Sequence, residues 1–393
     1  MSLRLNGSTS GYSEIDAPAI AGNNTLVLPT TNGVANQLLK NGSTPGVLEY
    51  SLTTLDSSGN LGSIASINGG PLAGLRNRII NGDMRIDQRN GGGAVTINAS
   101  SLTYSVDRWA AFGMASAGVF TINRSTTAPS GFTNSLAAVC TTADSTIAAG
   151  DRYIINQPIE GFNAADLGFG AAGAQTVTLS FWVQSSLTGT YCAALVNSGG
   201  SRSYVAEYDI NAANTWEYKT ITVAGDTSGT WLSDNGIGVA IRFTLATGTT
   251  YQTTANAWAA GNFNATSNQV NWMSSSSSRT FRITGVQLEP GPVATPFERR
   301  PIGTELALCQ RYFQLVSSFG FGYAPSGSQR AANPFFMTEM RAVPLITVAG
   351  ATGANCAGQA AVNIGTRSFG VTTTVTTLGV YALDTSWTAS IEL

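Results

Sequence analysis

The sequence predicts an all-β protein with an extended N-terminal shaft or anchor segment, a central jelly-roll β-sandwich, a short helix and a small C-terminal β-domain. Two observations predict this class. Apolar and polar residues alternate in about ten short runs, which is the period of a half-buried strand. Helical spacing is confined to one stretch that follows a cluster of prolines. The predicted parts are residues 1–75, 76–300 and 301–393.

The first segment, residues 1–75, is rich in Gly, Asn, Ser and Thr. Its strand-like pieces, 25–28 and 47–50, are short and are separated by turn signals such as Asn32-Gly33. The apolar content is too small for an independent core, so either the segment is flexible or neighbouring chains order it. Regular short strands with glycine turns favour the second alternative, an intertwined shaft.

The central stretch carries most of the strand signals. In the run 177–183 every second residue from Val177 is apolar, and the run 237–245 repeats the pattern. In the run 280–288 the apolar phase switches at Gly285, where we expect a β-bulge. Strands without a helix over such a length predict a two-sheet sandwich, of jelly-roll type. The other predicted strands are 119–124, 136–140, 153–159, 191–196, 204–210 and 216–223.

Four prolines between positions 290 and 301 predict a linker and a domain boundary, because proline cannot continue a strand ladder. A helix over 305–316 is predicted next, with Thr304 as a possible N-cap. Its apolar residues, Leu306 through Val316, recur at helical spacing and form one stripe. The helix either packs on its own domain or lies near a symmetry axis. Alternation returns in 369–375 and 387–393, which predicts a terminal β-domain.

Composition excludes several function classes. The chain has no His, so no Ser-His-Asp or Cys-His triad and no His-ligated zinc or haem is expected. Lys plus Arg is 20 and Asp plus Glu is 22, with no basic cluster, which argues against nucleic acid as a partner. The four cysteines are far apart and are expected to be buried thiols rather than zinc ligands or disulfides. No apolar run is long enough for membrane insertion.

One motif matches a cofactor-binding fingerprint in residue type and spacing but not in its position relative to the predicted strands. Gly168, Gly170 and Gly173 have the dinucleotide-binding spacing, but they precede the strand at Val177 instead of following a strand and opening a helix. The acidic residues are scattered, and no spacing selects a carboxylate pair for glycoside cleavage. We therefore expect no cofactor, no transition metal and no catalytic residue, while a calcium ion held by oxygen ligands stays open.

Two tryptophans are the candidate binding residues. Trp182 lies out of phase with the core face of its strand, beside Ser180 and Gln184. Trp258 lies among Ala, Asn and Thr in a predicted loop. An aromatic ring among small polar groups can stack on a sugar while its neighbours bond the hydroxyls. The alternative for each ring is a structural one, in which both faces of its strand are covered.

Two local patterns carry a family resemblance. The first is NRIINGDMRIDQR at 77–89 with YSVDRW at 104–109, and the second is TFRITGVQLEPG at 280–291 with ATPFE at 294–298. Together they resemble the opening and closing strands of a jelly-roll domain, similar to a carbohydrate-binding module, in bacteriophage tail fibres. Within the first pattern, Asn81-Gly82 predicts a tight hairpin turn and Asp107-Arg108 a local ion pair. Residues 305–316, 340–346 and 387–393 resemble the terminal domain of such fibres, and residues 11–28 and 33–50 resemble their virion-proximal segment.

The resemblance implies a homotrimeric tail fibre protein, assembled in the host cytoplasm and located in the virion tail. The N-terminal segment would attach to tail or baseplate proteins, and the β-domains would bind host surface polysaccharide with multivalent avidity. One alternative is an enzyme, a tailspike-like polysaccharide depolymerase, although no repeat of β-helical length is present. Another alternative is a purely structural tail component.

Overall fold

The computed structural model describes residues 3–6, 12–15, 27–32, 37–44, 47–54, 74–98, 102–114, 117–275 and 279–393. Positions 25, 26 and 33, which belong to the predicted strand piece and turn, lie outside these residues. The chain divides into two compact units, Met1–Ile67 and Asn68–Leu393. The predicted boundaries at 75/76 and 300/301 stay predictions.

The first unit consists of small antiparallel hairpins. Strand β1, Leu3–Asn6, pairs with β2, Tyr12–Ile15, and β3, Gln37–Asn41, pairs with β4, Leu48–Thr54. Where the structure gives the exposure of a residue in this unit, none is buried. The described part of the segment therefore has no core of its own, as the composition predicts.

A two-sheet sandwich dominates the second unit and confirms the predicted all-β sandwich. All ladders between its strands are antiparallel. Its strands are β5 Val95–Ile97, β6 Thr103–Tyr104, β7 Ala110–Met114, β8 Val119–Ser125, β9 Ser135–Thr142, β10 Arg152–Glu160, β11 Val177–Ser185, β12 Gly189–Val196, β13 Arg202–Ile210, β14 Glu217–Val223, β15 Ile237–Thr247, β16 Trp258–Ala260 and β17 Thr280–Pro290.

One sheet has seven strands in the order β16-β13-β12-β15-β10-β7-β6, and the other has six in the order β14-β11-β17-β9-β8-β5. Sequence-distant strands are neighbours in both, as in jelly-roll sandwiches. Between the sheets lies one large core that includes Phe181 and Phe243, whose ring centroids are 4.9 Å apart. Because side chains alternate along a strand, burying Phe181 turns Trp182 to the outer face of the six-stranded sheet.

The predicted β-bulge is present in β17. Ser180 of β11 pairs with Gln287, and Trp182 pairs with Thr284, so one residue of β11 faces two of β17. Gly285 is one of those two and has a φ of +59°, a conformation that glycine adopts without strain. The bulge places Ile283 and Val286 in the core despite their opposite phases in the sequence.

The stretch 76–89 is not the opening strand that the resemblance predicts. It is irregular backbone that lies against β17, with Arg78 N–H donating to Leu288 O at 2.8 Å. Gly82 fits there because a Cβ would lie 2.2 Å from Val286 O. The hairpin turn predicted at Asn81-Gly82 is absent. Asn81 has a φ of +57° and belongs to a buried network, in which its side chain donates to the carbonyls of Ile86 and Asp107. Buried polar groups thus satisfy the backbone here in place of hydrogen bonds to a neighbouring strand.

The Asp107-Arg108 ion pair is also a wrong prediction. Arg108 is buried and pairs with Glu392, while Asp107 lies nearest to Arg89, at 3.8 Å. The Arg108 guanidinium also stacks 3.6 Å from the ring centroid of Tyr312. The motif therefore links the sandwich to the end of the chain instead of closing on itself.

The helix is shorter than predicted and ends before the second half of its apolar stripe. Helix α1 spans Ile302–Gln310 and begins after Pro301, so Thr304 is not its N-cap. Phe313 and Val316 lie on a strand instead. The apolar residues of this stretch fit both helical and alternating spacing. Its second half forms a strand because it pairs with a distant strand. The helix packs on its own chain, beside Ile80, Ile86 and Tyr312.

The rest of the chain forms two three-stranded antiparallel sheets, in the orders β18-β23-β20 and β19-β22-β21. Their strands are β18 Phe313–Ala324, β19 Gln329–Ala332, β20 Leu345–Ala354, β21 Cys356–Val362, β22 Gly370–Val375 and β23 Gly379–Ser390. The sheets share a small core around Phe369 and Trp387. Glu160 of the sandwich ties this part down, since it accepts bonds from Arg311 at 2.6 Å and from Tyr312 Oη at 2.6 Å.

The outer face of the β18-β23-β20 sheet is strongly apolar. On the edge strand β18, Phe319, Phe321 and Tyr323 are 66%, 73% and 69% exposed. Leu345 and Val380 extend this face on the neighbouring strands. We call these residues, with Leu315, the β18 face.

In the described part of the chain, no helix is long and apolar enough to cross a membrane. Those same residues contain no group of three or more His, Cys, Asp or Glu side chains placed to hold a metal ion. Of the four cysteines, Cys140, Cys192 and Cys309 are buried thiols, and Cys356 is half-buried.

Candidate functional site

The outer face of the six-stranded sheet carries two aromatic rings side by side. Trp182 on β11 pairs in register with Tyr218 on β14, and their ring centroids are 5.4 Å apart. Tyr218 is 45% exposed and Trp182 is half-buried. Ser180, two residues before Trp182, points to the same side and places a hydroxyl next to the rings. The strand alternation that packs the core therefore builds an exposed aromatic platform.

Two loops rise above this platform and turn it into a cleft. Phe132 comes from the loop before β9, and Phe297 comes from the proline-rich stretch after β17. Their rings meet edge to face, with centroids 5.3 Å apart. The Arg299 guanidinium lies 4.7 Å from the Phe132 ring centroid. The resulting cleft, which we call the Trp182 cleft, has a volume of about 540 Å³. Its lining residues are Ser130, Phe132, Ser180, Trp182, Tyr218, Gly285, Ala294, Thr295, Pro296, Phe297 and Arg299.

Gly285 lets the rings close on the sheet. A Cβ at this position would lie 2.6 Å from Cζ of Phe132 and 3.3 Å from Cδ1 of Trp182. The loop that carries Phe132 is fixed beside it, because Thr284 Oγ1 donates to the carbonyl of Asn134 at 2.7 Å. The bulge that the sequence predicts is thus part of the wall of the cleft.

The proline-rich stretch folds back onto β17. Thr295 donates to the buried Glu289 through its backbone N–H, at 2.8 Å, and through its hydroxyl, at 2.6 Å. The Glu298 N–H donates to Oε1 of the buried Gln287 at 2.8 Å. These charge-assisted and buried bonds hold the upper wall in place before any ligand binds.

Trp258 lies elsewhere, and the structure does not bring it together with Trp182. It is on strand β16 at the edge of the seven-stranded sheet, not in the loop that the sequence predicts. Its ring packs against Phe169, Tyr204 and Trp231, with centroids 5.3 to 5.8 Å apart. Its Nε1–H donates to the carbonyl of Ala224 at 2.7 Å. The ring is half-buried and its indole N–H is hydrogen-bonded, and the binding role predicted for Trp258 stays a prediction.

A second cleft, of about 640 Å³, involves residues of β13 and of the loops around β16. Its lining is Glu207, Gln252, Thr253, Thr254, Ala255, Thr266, Ser267 and Asn268, and it contains no aromatic ring. Glu207 is already engaged by the Thr266 hydroxyl and by the amide of Asn268, which donates at 3.0 Å. This second cleft therefore offers polar contacts but no aromatic ring on which a sugar could stack.

The sequence patterns identify Trp182, its neighbour Ser180 and the bulge at Gly285. They do not single out Tyr218, Phe132, Phe297 and Arg299 as binding residues. Tyr218 has a signal, since it lies out of phase in the strand run 216–223. Phe132 and Phe297 lie outside the strands, where no period marks a face.

Comparison with known proteins gave matches among solved structures alone. No protein-family model matches the chain, and no curated protein sequence matches it. A putative sugar binding protein from Bacteroides thetaiotaomicron is 13% identical over 55% of this chain and 99% of that chain, with a TM-score of 0.31. A C-terminal family 22 carbohydrate binding module of Clostridium thermocellum is 14% identical over 50% of this chain and 99% of that chain, with a TM-score of 0.27.

The enzymatically active domain of bacteriophage CBA120 tailspike protein 4 is 12% identical over 55% of this chain, with a TM-score of 0.27. The match spans about a fifth of that domain's length, 21%. Identities and TM-scores this low establish neither a shared fold nor a shared function. The Trp182 cleft is therefore interpreted from its own residues.

Proposed function

We propose that the chain is a glycan-binding receptor protein of a bacteriophage tail fibre and that the Trp182 cleft is its sugar site. The observation that carries the binding role is the pairing of the half-buried Trp182 with the exposed Tyr218 on the outer face of the sheet, with hydroxyl neighbours. The apolar C–H face of a pyranose stacks on such rings, and its hydroxyls bond to Ser and Thr side chains. A volume of about 540 Å³ lies within the range of ligand pockets and holds a short saccharide.

We propose binding without cleavage at this site. Glycoside hydrolysis generally needs two carboxyl groups flanking the scissile bond. Among the described residues that line the Trp182 cleft, none is Asp or Glu. The composition of the cleft thus favours an adhesin over the depolymerase alternative.

The proposal also includes two more specific statements, that the protein belongs to a tail fibre and that it is a homotrimer. They rest on the resemblance of the patterns at 77–109 and 280–298 to tail fibre proteins. Two features support assembly: the first unit has no buried residue where exposure is given, and the β18 face exposes aromatic rings. In a trimer attached to tail or baseplate proteins, three shallow sites would act together on host polysaccharide.

The test compares two tryptophan variants. We expect Trp182→Ala to reduce cell adsorption or polysaccharide binding by about tenfold per site, since stacking contributes roughly 1 kcal/mol and buried contacts add to it. We expect Trp258→Ala to destabilise the fold by about 1–2 kcal/mol, because the half-buried ring loses its packing against Phe169, Tyr204 and Trp231. Once corrected for the folded fraction, binding by Trp258→Ala should be normal.

Binding is measured by adsorption and by titration with soluble polysaccharide, and folding by circular dichroism. Normal binding by a folded Trp182→Ala variant would refute the site and direct attention to the loops between 319 and 341. Shortened polysaccharide chains after incubation with the wild-type protein would refute binding without cleavage.

A further inference from the structure

The Trp182 cleft contains one formal charge, and it is positive. Arg299 is exposed at the wall of the cleft. Its guanidinium is held over Phe132 and lies 5.8 Å from the Phe297 centroid, and one nitrogen donates to the Gly131 carbonyl. No carboxylate in the described part of the chain lies within ion-pair distance of it. The arginine is positioned but electrostatically unpaired.

The acidic residues nearest in the chain are already engaged. Glu298 accepts the backbone N–H of Asn77 at 3.0 Å and lies 3.5 Å from Arg300. Glu289 is fully buried, accepts two bonds from Thr295 and lies 3.3 Å from Arg76. Neither lines the cleft. The charge of Arg299 is therefore uncompensated on the side where a ligand would bind.

A second unpaired cation lies on the same outer face. Arg282 of β17 is two residues from Thr284, which pairs with Trp182. Its Nη1 donates to Oε1 of Gln184 at 2.8 Å, but its Nε has no partner among the described residues. Burial lowers the pKa of Arg282, which means that an adjacent anion would stabilise its charged form. Two arginines without an ion pair among the described residues, Arg282 and Arg299, thus lie near the rings.

We propose that the cleft selects acidic polysaccharides, in which a sugar carboxylate pairs with Arg299 while the ring stacks on Trp182. This inference rests on the proposed glycan-binding function. The planar guanidinium matches a carboxylate in a two-bond geometry, and the rings beneath it fix its orientation. Sugars that carry a carboxylate, such as uronic acids, combine an apolar ring face with an anion and fit both features.

The experiment uses an array of purified bacterial surface polysaccharides, in which each uronate-containing polymer is printed in native and in carboxyl-reduced form. Carboxyl reduction converts the carboxylate to a primary alcohol and leaves the sugar ring unchanged. The full-length wild-type chain is compared with Arg299→Gln, Trp182→Ala and Arg330→Gln. Arg330 is the matched control, because it also stacks on a ring, 5.9 Å from the Tyr381 centroid, and has no ion pair among the described residues.

We expect the wild-type chain to bind native acidic polymers and to bind their reduced forms about tenfold more weakly. Arg299→Gln should weaken binding to the native polymers by about tenfold, since a charge-assisted bond is roughly twice as strong as a neutral one. Its residual binding should equal that of the wild type to the reduced forms. Arg330→Gln should bind as the wild type does. Added salt should weaken wild-type binding and leave Arg299→Gln nearly unchanged.

Two results would overturn the selection of acidic polysaccharides but leave the proposed glycan-binding function standing. They are a preference for neutral or reduced polymers and normal binding by Arg299→Gln, each together with weakened binding by Trp182→Ala. Binding that survives carboxyl reduction but disappears on phosphate or sulfate removal assigns the anion to those esters and overturns the carboxylate. Binding to no polymer at all, or binding that ignores Trp182→Ala, overturns the proposed function itself.

Discussion

Gly285 is the residue on which the geometry of the cleft most directly depends. Its φ of +59° disfavours any side chain, and a Cβ would overlap the Phe132 ring at 2.6 Å. We expect Gly285→Ala to lower the free energy of unfolding by about 2–3 kcal/mol and to weaken glycan binding, because a ring must move. Urea unfolding and polysaccharide titration measure the two effects.

Replacing Gly303 by alanine should change the free energy of unfolding in the opposite direction. It lies in α1 and is exposed, and a Cβ added to it would have no atom within 4 Å. We expect Gly303→Ala to raise the free energy of unfolding by about 0.5–1 kcal/mol, because alanine is the better helix former. If the two variants shift stability in the same direction, the assignment of strain to Gly285 is wrong.

The sequence predicts single positions well where a strand period applies and poorly elsewhere. Alternation places Trp182 outward, because burying Phe181 leaves no other side for it. The same alternation turns Tyr218 outward, but no pattern in the sequence of either strand shows that β14 pairs with β11. Phe132 and Phe297 lack a period altogether, so their meeting over the sheet depends on long-range packing. Trp258 is predicted in a loop but lies on β16, because its pairing with Tyr204 is not visible in the local sequence.

At the scale of elements, apolar spacing alone misplaces the end of α1. Leu306 through Val316 fits a helical stripe, yet Phe313 already pairs with Ser390 of β23. A partner strand about eighty residues away is invisible to a local pattern. The irregular stretch 76–89 fails as a strand for a related reason: its backbone bonds go to buried side chains and to β17, neither of which follows a repeat.

Asp107 makes that irregular stretch sensitive to pH. The buried carboxylate accepts the N–H of Gln88 at 3.2 Å, and burial raises its pKa to about 6. The folded state therefore holds the proton more tightly than the unfolded state. The resulting stability is fully present below about pH 4 and is lost as pH rises through about 6. We expect this loss to be on the order of 2 kcal/mol in the wild type and absent in Asp107→Asn.

Urea unfolding across this pH range checks the expectation. Asp209→Asn is the matched control, because Asp209 is an exposed carboxylate on β13 that bonds only to Thr190 among the described contacts. It should keep the wild-type dependence on pH. Equal pH dependence in Asp107→Asn and the wild type would show that another group is responsible.

At the scale of the whole molecule, the β18 face argues for association between copies of the chain. Its six side chains expose roughly 700 Å², given about 150–250 Å² for each aromatic residue. The largest apolar patch of a typical monomer is about 300–600 Å², and a standard interface buries about 800 Å² per partner. We expect the wild-type chain to be a stable oligomer, in agreement with the proposed trimer.

The double variant Phe319→Ser/Phe321→Ser should dissociate or assemble markedly less at micromolar concentration, as followed by sedimentation. Both rings point outward from β18, so the fold itself should remain intact. Phe162→Ser is the control, because Phe162 is 62% exposed on the sandwich and lies outside the β18 face. A folded wild-type monomer at that concentration would contradict the proposal.

The contacts of the stretch 76–82 with β17 have a mechanical consequence. In the proposed fibre, tension would pass from the bound sugar through this domain to the chain N-terminal to residue 76. The irregular stretch is bonded there to β17, the strand that carries Gly285, from Arg78 N–H to Leu288 O and from the Asn77 amide to Val286 O at 3.2 Å. The two acceptors lie two residues apart on β17, so a pull along the strand would load both bonds together. In the proposed fibre, this anchorage would help the domain to bear tension while it remains folded.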